Sequence, residues 1–165
     1  MGINFKKVTP DMFDECARVI RNSFTTVANE FNLTKEIAPT NPAFMEVDSL
    51  NKMYQNNIEM FAVNQDEEWI GFVAVEKSNA EIYYMEKLAV LPAYRHKGFG
   101  RMTMDFVIRY VKDKGGKVIS IGIIDENIVL KNWYLNYGFE VTETKQYPYL
   151  PFKVCLMEKR FPSTK

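Results

Sequence analysis

Histidine and cysteine are scarce in this chain of 165 residues: His96 is the single histidine, and the cysteines are Cys16 and Cys155. One imidazole and two distant thiols make no zinc-type ligand cluster, so no metal is expected. Each thiol lies among apolar residues and reads as buried and free, with no sign of export to favour a disulfide. Net charge is missing too, because 21 Lys and Arg balance 21 Asp and Glu. A neutral chain has no general attraction for nucleic acid or for an anionic membrane, so neither is expected as a partner. No apolar run approaches the roughly 18 residues a membrane helix needs. Residues 1–10 hold no apolar signal-peptide core, and a cytoplasmic location is the expectation. Repeats, low-complexity stretches and long linkers are absent as well, and the length suits one domain over 1–165.

What is present is a succession of periodic segments. Ile3–Val8 reads as a strand. Thr9-Pro10-Asp11 opens a helix, with Pro at its first position and Asp at its positive end. Met12, Phe13, Cys16, Ala17, Ile20 and Phe24 recur on one face of that helix. Residues 32–44 hold Pro39 and Asn41-Pro42 and read as loop. Val47, Leu50, Met53 and Tyr54 mark a second short helix. Met60–Asn64 and Trp69–Glu76 form a hairpin, and Glu81–Leu91 is a third strand. After it, a helix runs to about Lys114, with Phe99, Met102, Phe106, Tyr110 and Val111 on the expected buried side and Gly115-Gly116 as its stop. Val118–Ile124 is a nearly unbroken apolar run, expected to be a strand buried on both faces. Asn127–Tyr137 is a short helix, and Phe139–Lys145 and Phe152–Lys159 are the last strands. The order βααβββαβαββ predicts a mixed α/β (α+β) fold, with helices on both faces of one sheet.

The segment Arg95-His96-Lys97-Gly98-Phe99-Gly100-Arg101 lies between a strand and a helix. Glycines there let a ligand approach the backbone, and the free amides of a helix start favour an anion. Arg95, Lys97 and Arg101 add positive charge. Together these predict a phosphate site, most simply for a pyrophosphate. A Walker A loop is excluded because no Gly-Lys-Ser/Thr follows. A dinucleotide site, with Asp125 as the ribose acid, meets two obstacles: Thr103 stands at the third glycine position, and the early strands are hairpin-linked rather than parallel.

The stretch from Tyr83 to Gly100, with Leu88-Ala89-Val90-Leu91-Pro92 leading into Arg95-x-x-Gly98-x-Gly100, resembles the acyl-CoA motif of the GNAT N-acetyltransferases. Asn127, Trp133-Tyr134 and Gly138-Phe139 resemble a second element of that family, with Trp133 where Phe is common and Lys131-Asn132 where a small residue is frequent. The motifs are specific from Tyr83 to Phe139, and the first half of the chain is compatible. The resemblance implies a mostly antiparallel sheet whose central strands, Glu81–Leu91 and Val118–Ile124, splay apart. Acetyl-CoA would lie in the gap. Its pantetheine would bond the backbone of Leu88-Ala89-Val90, chiefly Leu88 and Val90, and would also bond Asn127. Its pyrophosphate would rest on the amides of His96, Lys97, Gly98, Phe99, Gly100 and Arg101.

The implied activity is transfer of acetyl from acetyl-CoA to a primary amine, by direct attack in a ternary complex. Such an amine has a pKa of about 10.4 and must lose a proton. The family places a tyrosine at the position of Tyr134, near the sulfur, which makes Tyr134 the expected general acid. Tyr137, one turn away, is its competitor and is expected to pack. The Leu88 N–H would polarise the carbonyl. Strand alternation groups Tyr84, Glu86 and Leu88 on one face, and Glu86 is the expected base, or else an exposed strand carboxylate; Asp125 and Glu126 are further candidates. His96 is expected to contact ligand. A transferase of longer acyl chains and a CoA-binding sensor without catalysis are the rival functions. The acceptor, a small amine or a peptide amine, is expected near 24–57 and 147–151, where Phe31, Phe44, Tyr54, Tyr147, Tyr149, Glu30, Glu36 and Glu46 lie. Pairing through end strands is common in the family, which leaves a homodimer open.

Overall fold

The computed structural model describes residues 2–162. Its strands are β1 (Ile3–Lys7), β2 (Glu59–Gln65), β3 (Glu68–Lys77), β4 (Ile82–Val90), β5 (Val118–Ile124), β6 (Glu140–Gln146) and β7 (Lys153–Arg160). The helices are α1 (Phe13–Glu30), α2 (Val47–Gln55), α3 (Phe99–Asp113) and α4 (Ile128–Asn136). The expected element order is therefore observed, with short 3-10 turns at Pro10–Met12, Pro42–Phe44 and Pro92–Tyr94. The strands form one sheet in the order β1-β2-β3-β4-β5-β7-β6. Among the described residues β4–β5 is its one parallel pair.

Each face of the sheet carries its own core. On one side Phe13, Cys16, Ala17 and Ile20 of α1, with Leu50 and Met53 of α2, cover Met60, Ala62, Phe72, Ala74 and Ala89. On the other side Met104, Val107 and Val111 of α3, with Tyr134 and Phe139, cover Val73, Val75, Tyr83, Met85, Ile119, Ile121 and Met157. Alternation along the strands makes this division, since neighbouring residues such as Phe72 and Val73 go to opposite cores.

The buried stripe of α3 differs from the expected one. Thr103, Met104 and Val107 occupy its centre, while Met102 is 42% exposed. Phe106 and Tyr110 sit at the edge of the stripe, where Phe106 stacks on Phe5 at 4.2 Å and Tyr110 meets Phe61 at 5.3 Å. A threonine can occupy the centre because its hydroxyl donates to the Phe99 carbonyl at 2.8 Å.

Two features of the central strands shape the molecule. β4 and β5 pair only from Ile82–Val118 to Tyr84–Ser120 and then separate. β4 also carries a bulge: Ala74 faces Glu86 and Phe72 faces Ala89, so Val73 opposes two residues, Lys87 and Leu88. Lys87 has φ 54°. The extra residue reverses the alternation beyond it. Glu86 thus lies on the α1 face with Ala74, whereas Leu88 packs into the α3/α4 core. This corrects the expectation that Glu86 and Leu88 share a face. Gly71 completes the bulge, because a Cβ there would stand 2.4 Å from the Ala89 carbonyl oxygen.

The separation also corrects the expectation for β5. Val118, Ile119 and Ile121 are buried, but Gly122 is exposed and Ile123 and Ile124 are half-buried. β5 has lost its neighbour on the β4 side there, and its apolar residues line an opening instead.

Candidate active site

The opening between β4 and β5 is a cleft of about 420 Å³. Met85, Glu86, Lys87 and Leu88 line its β4 side, and Ile121, Gly122, Ile123 and Ile124 line its β5 side. α4 contributes Asn127, Leu130 and Tyr134, while α1 contributes Phe24 and Val27. The cleft therefore passes between the two helical layers. Four of the expected site residues, Glu86, Leu88, Asn127 and Tyr134, meet here.

Tyr134 is 4% exposed, with its ring edge-on to Trp133 at 5.0 Å and to Phe139 at 5.2 Å. Burial pushes its phenol pKa well above the ordinary value, so the group stays neutral and able to donate. Tyr137 packs, as expected: its hydroxyl donates to Asp105 and lies 3.2 Å from the Arg101 carbonyl oxygen, tying the end of α4 to α3. Asn127 caps α4, with its side-chain oxygen accepting from the Leu130 N–H at 3.3 Å. Its side-chain amide can face a ligand only from that capped position.

Glu86 is half-buried. Its pKa is raised, first by burial and then by Glu76, to which it is hydrogen-bonded, against a lowering by Lys87. Lys87 Nζ lies 3.9 Å from Glu86 Oε2. Glu76 faces Tyr84 across the strands, one diagonal step from the Glu86–Ala74 pair. The sequence reading missed Glu76, although the register from the hairpin turn to the Ala74–Glu86 pair is regular. The other candidate bases are placed otherwise. Asp125 is bound to Lys131 at 2.6 Å, and Glu126 is exposed.

The backbone of β4 divides the Leu88–Val90 stretch. The Leu91 N–H donates to the Ile70 carbonyl on β3, and the carbonyl oxygen of Ala89 lies against Gly71. Ala89 therefore turns its polar groups into the sheet. By alternation Leu88 and Val90 turn theirs to the side that β5 has left. The Val90 carbonyl there accepts from Arg95 Nε at 3.0 Å.

Arg95 performs a task the sequence did not suggest. Besides Val90, its guanidinium donates to Thr26 Oγ1 at 2.8 Å and to the Ser23 carbonyl. Its side chain thus latches the end of β4 to α1, with one N–H of each guanidinium nitrogen engaged. The groups here that can meet an anion are backbone ones. His96 and Gly98 take left-handed conformations, φ 62° and 87°. Met102 is the residue whose N–H closes the first helical turn, onto the Gly98 carbonyl at 3.0 Å. The amides of Phe99, Gly100 and Arg101 precede that turn and point out of the helix end. The Phe99 side chain is buried with Val63, Ile70 and Tyr94, which anchors the end. Lys97 and Arg101 lie beside Tyr94 and Tyr137 respectively, at 6.0 Å and 5.9 Å from the ring centres.

Gly100 tests whether the loop suits a ligand. A Cβ there would meet only Trp133, at an ordinary 3.7 Å. The protein's own packing does not demand glycine, so close approach of a ligand is the remaining physical reason for it. Trp133 stands between Gly100 and the cleft, next to Tyr134. Outward amides at one end and an unpaired strand edge at the other fit a long ligand with an anionic head and an amide-bearing arm, which describes coenzyme A.

The residues expected around the acceptor are mostly not in the cleft. Phe31 and Phe44 belong to a small core with Ala28, Leu33 and Ala38. Tyr54 packs on Phe13, Tyr147 on Tyr149, and Glu46 pairs with Lys35 at 3.1 Å. Asn41, Pro42 and Leu150, which belong to the expected stretches 24–57 and 147–151, line it together with Phe152 and Val154. Among the described residues no three His, Cys, Asp or Glu side chains gather as a metal group, and no helix is long and apolar enough to cross a membrane.

Comparison with known proteins bears on this geometry. A search of curated sequences gives no match. Among solved structures, the PaiA N-acetyltransferase from Thermoplasma acidophilum in complex with coenzyme A superposes with a TM-score of 0.81 at 22% identity, covering 98% of this chain and 100% of that one. The ribosomal-protein-S18-alanine N-acetyltransferase from Escherichia coli gives 0.78 at 10% identity, covering 99% and 97%. A GNAT family acetyltransferase from Elizabethkingia anophelis with acetyl-CoA bound gives 0.64 at 17%, covering 96% and 98%. These likenesses show the fold. Residues 25–139 match the model of the acetyltransferase (GNAT) family, and the chain belongs to that family.

Proposed function

We propose that the protein is an N-acetyltransferase that moves acetyl from acetyl-CoA to a primary amine within a ternary complex. The observation that carries this reading is the cleft itself, which Glu86 and Tyr134 both line beside the unpaired edge of β4. The coenzyme's pyrophosphate rests on the amides from His96 to Arg101, and its arm runs along Leu88 and Val90 toward Asn127.

The acceptor nitrogen attacks the thioester carbonyl, whose oxygen takes a hydrogen bond from the Leu88 N–H. A C–N bond forms and the C–S bond breaks. The surplus proton on nitrogen passes to Glu86, directly or through water. The sulfur leaves against the Tyr134 hydroxyl, which supplies its proton and is itself reprotonated from solvent. Because burial raises the phenol's pKa, hydrogen bonding to the leaving sulfur is the larger part of its contribution, with full transfer completing late.

The test is an assay of thiol release from acetyl-CoA with a panel of amines, with the acetylated product identified by mass. Release that depends on amine supports the reading. Thiol release without acetylated amine, or binding of acetyl-CoA without turnover across the panel, counts against it.

A further inference from the structure

Resting on that reading, we infer that the acceptor is a compact primary monoamine with an apolar body, such as an arylalkyl or branched alkyl amine, rather than a polyamine or an aminosugar. Three observations on the acceptor side of the cleft agree. The first is its lining. Phe24, Val27, Pro42, Leu150, Phe152 and Val154 present hydrocarbon to the cleft, and Asn41 is the one polar side chain set among them. An apolar body gains by leaving water there, whereas hydroxyls and amides would lose their partners.

The second is charge. Among the described residues Glu86 is the one acidic side chain lining the cleft, and Lys87 lies 3.9 Å from it. One carboxylate can receive one amine. A second ammonium on the same molecule would meet either hydrocarbon or the Lys87 cation, and an unpaired buried charge is strongly disfavoured. Of the other acids nearby, Glu76 is engaged with Glu86 itself and does not line the cleft. Asp125 is held by Lys131, and Glu46 by Lys35.

The third is rigidity. Phe24, Phe31 and Phe44, from α1 and the segment after it, pack with Ile124 of β5 and Phe152, just before β7, against a small core of Ala28, Leu33, Ala38 and Ala43. That core stands behind the wall that Phe24, Ile124 and Phe152 give to the cleft. Arg95 fixes α1 through Ser23 and Thr26. A braced apolar wall suits a hydrocarbon body and offers a polar chain few partners.

The experiment compares kcat/KM for 2-phenylethylamine and 3-methylbutylamine with spermidine, an aminoglycoside and a lysine-containing peptide, at saturating acetyl-CoA. The inference expects the apolar monoamines to exceed the others by at least 100-fold. Preference for spermidine, the aminoglycoside or the peptide overturns it while leaving the transferase reading intact. Failure to bind acetyl-CoA by calorimetry sinks the transferase reading itself, and the inference with it. A second arm uses Val27→Glu, which adds a carboxylate to the apolar wall at a half-buried position. The monoamine-to-spermidine ratio should fall at least 10-fold, mainly through KM, with acetyl-CoA affinity unchanged. An unchanged ratio in a folded Val27→Glu protein overturns the placement of the acceptor against this wall.

Discussion

Glu86 and Tyr134 reach the same cleft from opposite faces of the sheet, Glu86 on the side covered by α1 and Tyr134 from α4 on the other. The proposed proton acceptor and proton donor are therefore separated by the gap between β4 and β5. The bond that forms and the bond that breaks can be served at once from the two sides.

Tyr134→Phe isolates the donor. The ring keeps its contacts with Trp133 and Phe139, so stability should change by no more than about 1 kcal/mol, the worth of an ordinary hydrogen bond. Turnover should fall by about 100-fold, the lower end of general acid catalysis, with coenzyme A affinity unchanged. Steady-state kinetics and calorimetry together read both quantities, and wild-type turnover in the variant would remove the phenol from the reaction.

Glu86 should leave a mark on both activity and stability as pH varies. A base works deprotonated, so kcat/KM should fall as pH drops through the raised pKa of Glu86, at a pH above the ordinary carboxylate value of about 4.3. The stability effect has the opposite sense. The folded state holds this proton more tightly than the unfolded chain, so stability declines as pH rises between the two pKa values and stays lower above them. Glu86→Gln removes that loss. The variant should be slow yet melt at an equal or higher temperature than wild type at pH 7, with the advantage gone below pH ~4. A variant that is both fast and less stable would contradict the assignment.

Much of this was legible in the sequence, and the failures share one cause. Element order and the glycine loop could be read because periodicity and turn residues are local signals. The faces of Glu86 and Leu88 could not, because alternation assumes a regular strand and Lys87 breaks it with a residue type that gives no warning. Gly71 was the available clue, since a glycine inside an apolar strand signals close backbone approach. Arg95 was misjudged for a related reason. Its place beside the glycines suggested an anion, but its partners, Ser23 and Thr26, lie about 70 residues away in sequence and come near only through the fold. On the acceptor side the stretches 24–57 and 147–151 do supply Phe24, Val27, Asn41, Pro42 and Leu150 to the cleft, while Phe31 and Phe44 pack in a small core beside it, a division that only the fold decides.

The two glycines of the loop should respond differently to alanine. Gly98 has φ 87°, so Gly98→Ala should cost about 1–2 kcal/mol of stability from backbone strain alone. Gly100→Ala meets no obstacle in the protein and should leave stability equal or slightly higher. Coenzyme A affinity should nevertheless fall at least 10-fold in Gly100→Ala, because the added methyl occupies space the pyrophosphate needs. Denaturant titration gives the first pair of values and calorimetry the last. Unweakened binding in Gly100→Ala would move the anion away from this helix end.

Gly71→Ala probes the bulge from the neighbouring strand. Its new Cβ would stand 2.4 Å from the Ala89 carbonyl oxygen, and backbone atoms cannot yield as a flexible side chain would. Relief requires β4 to move away from β3, at the residue that follows Leu88. Overpacking of this kind costs about 1–3 kcal/mol. The urea midpoint should fall with the slope unchanged. Because the displaced strand carries the Leu88 backbone, turnover should drop as well, although Gly71 touches no part of the cleft. If stability falls by the expected amount while kcat and acetyl-CoA affinity stay at wild-type values, the geometry of the bulge does not govern the edge that β4 offers to its ligand.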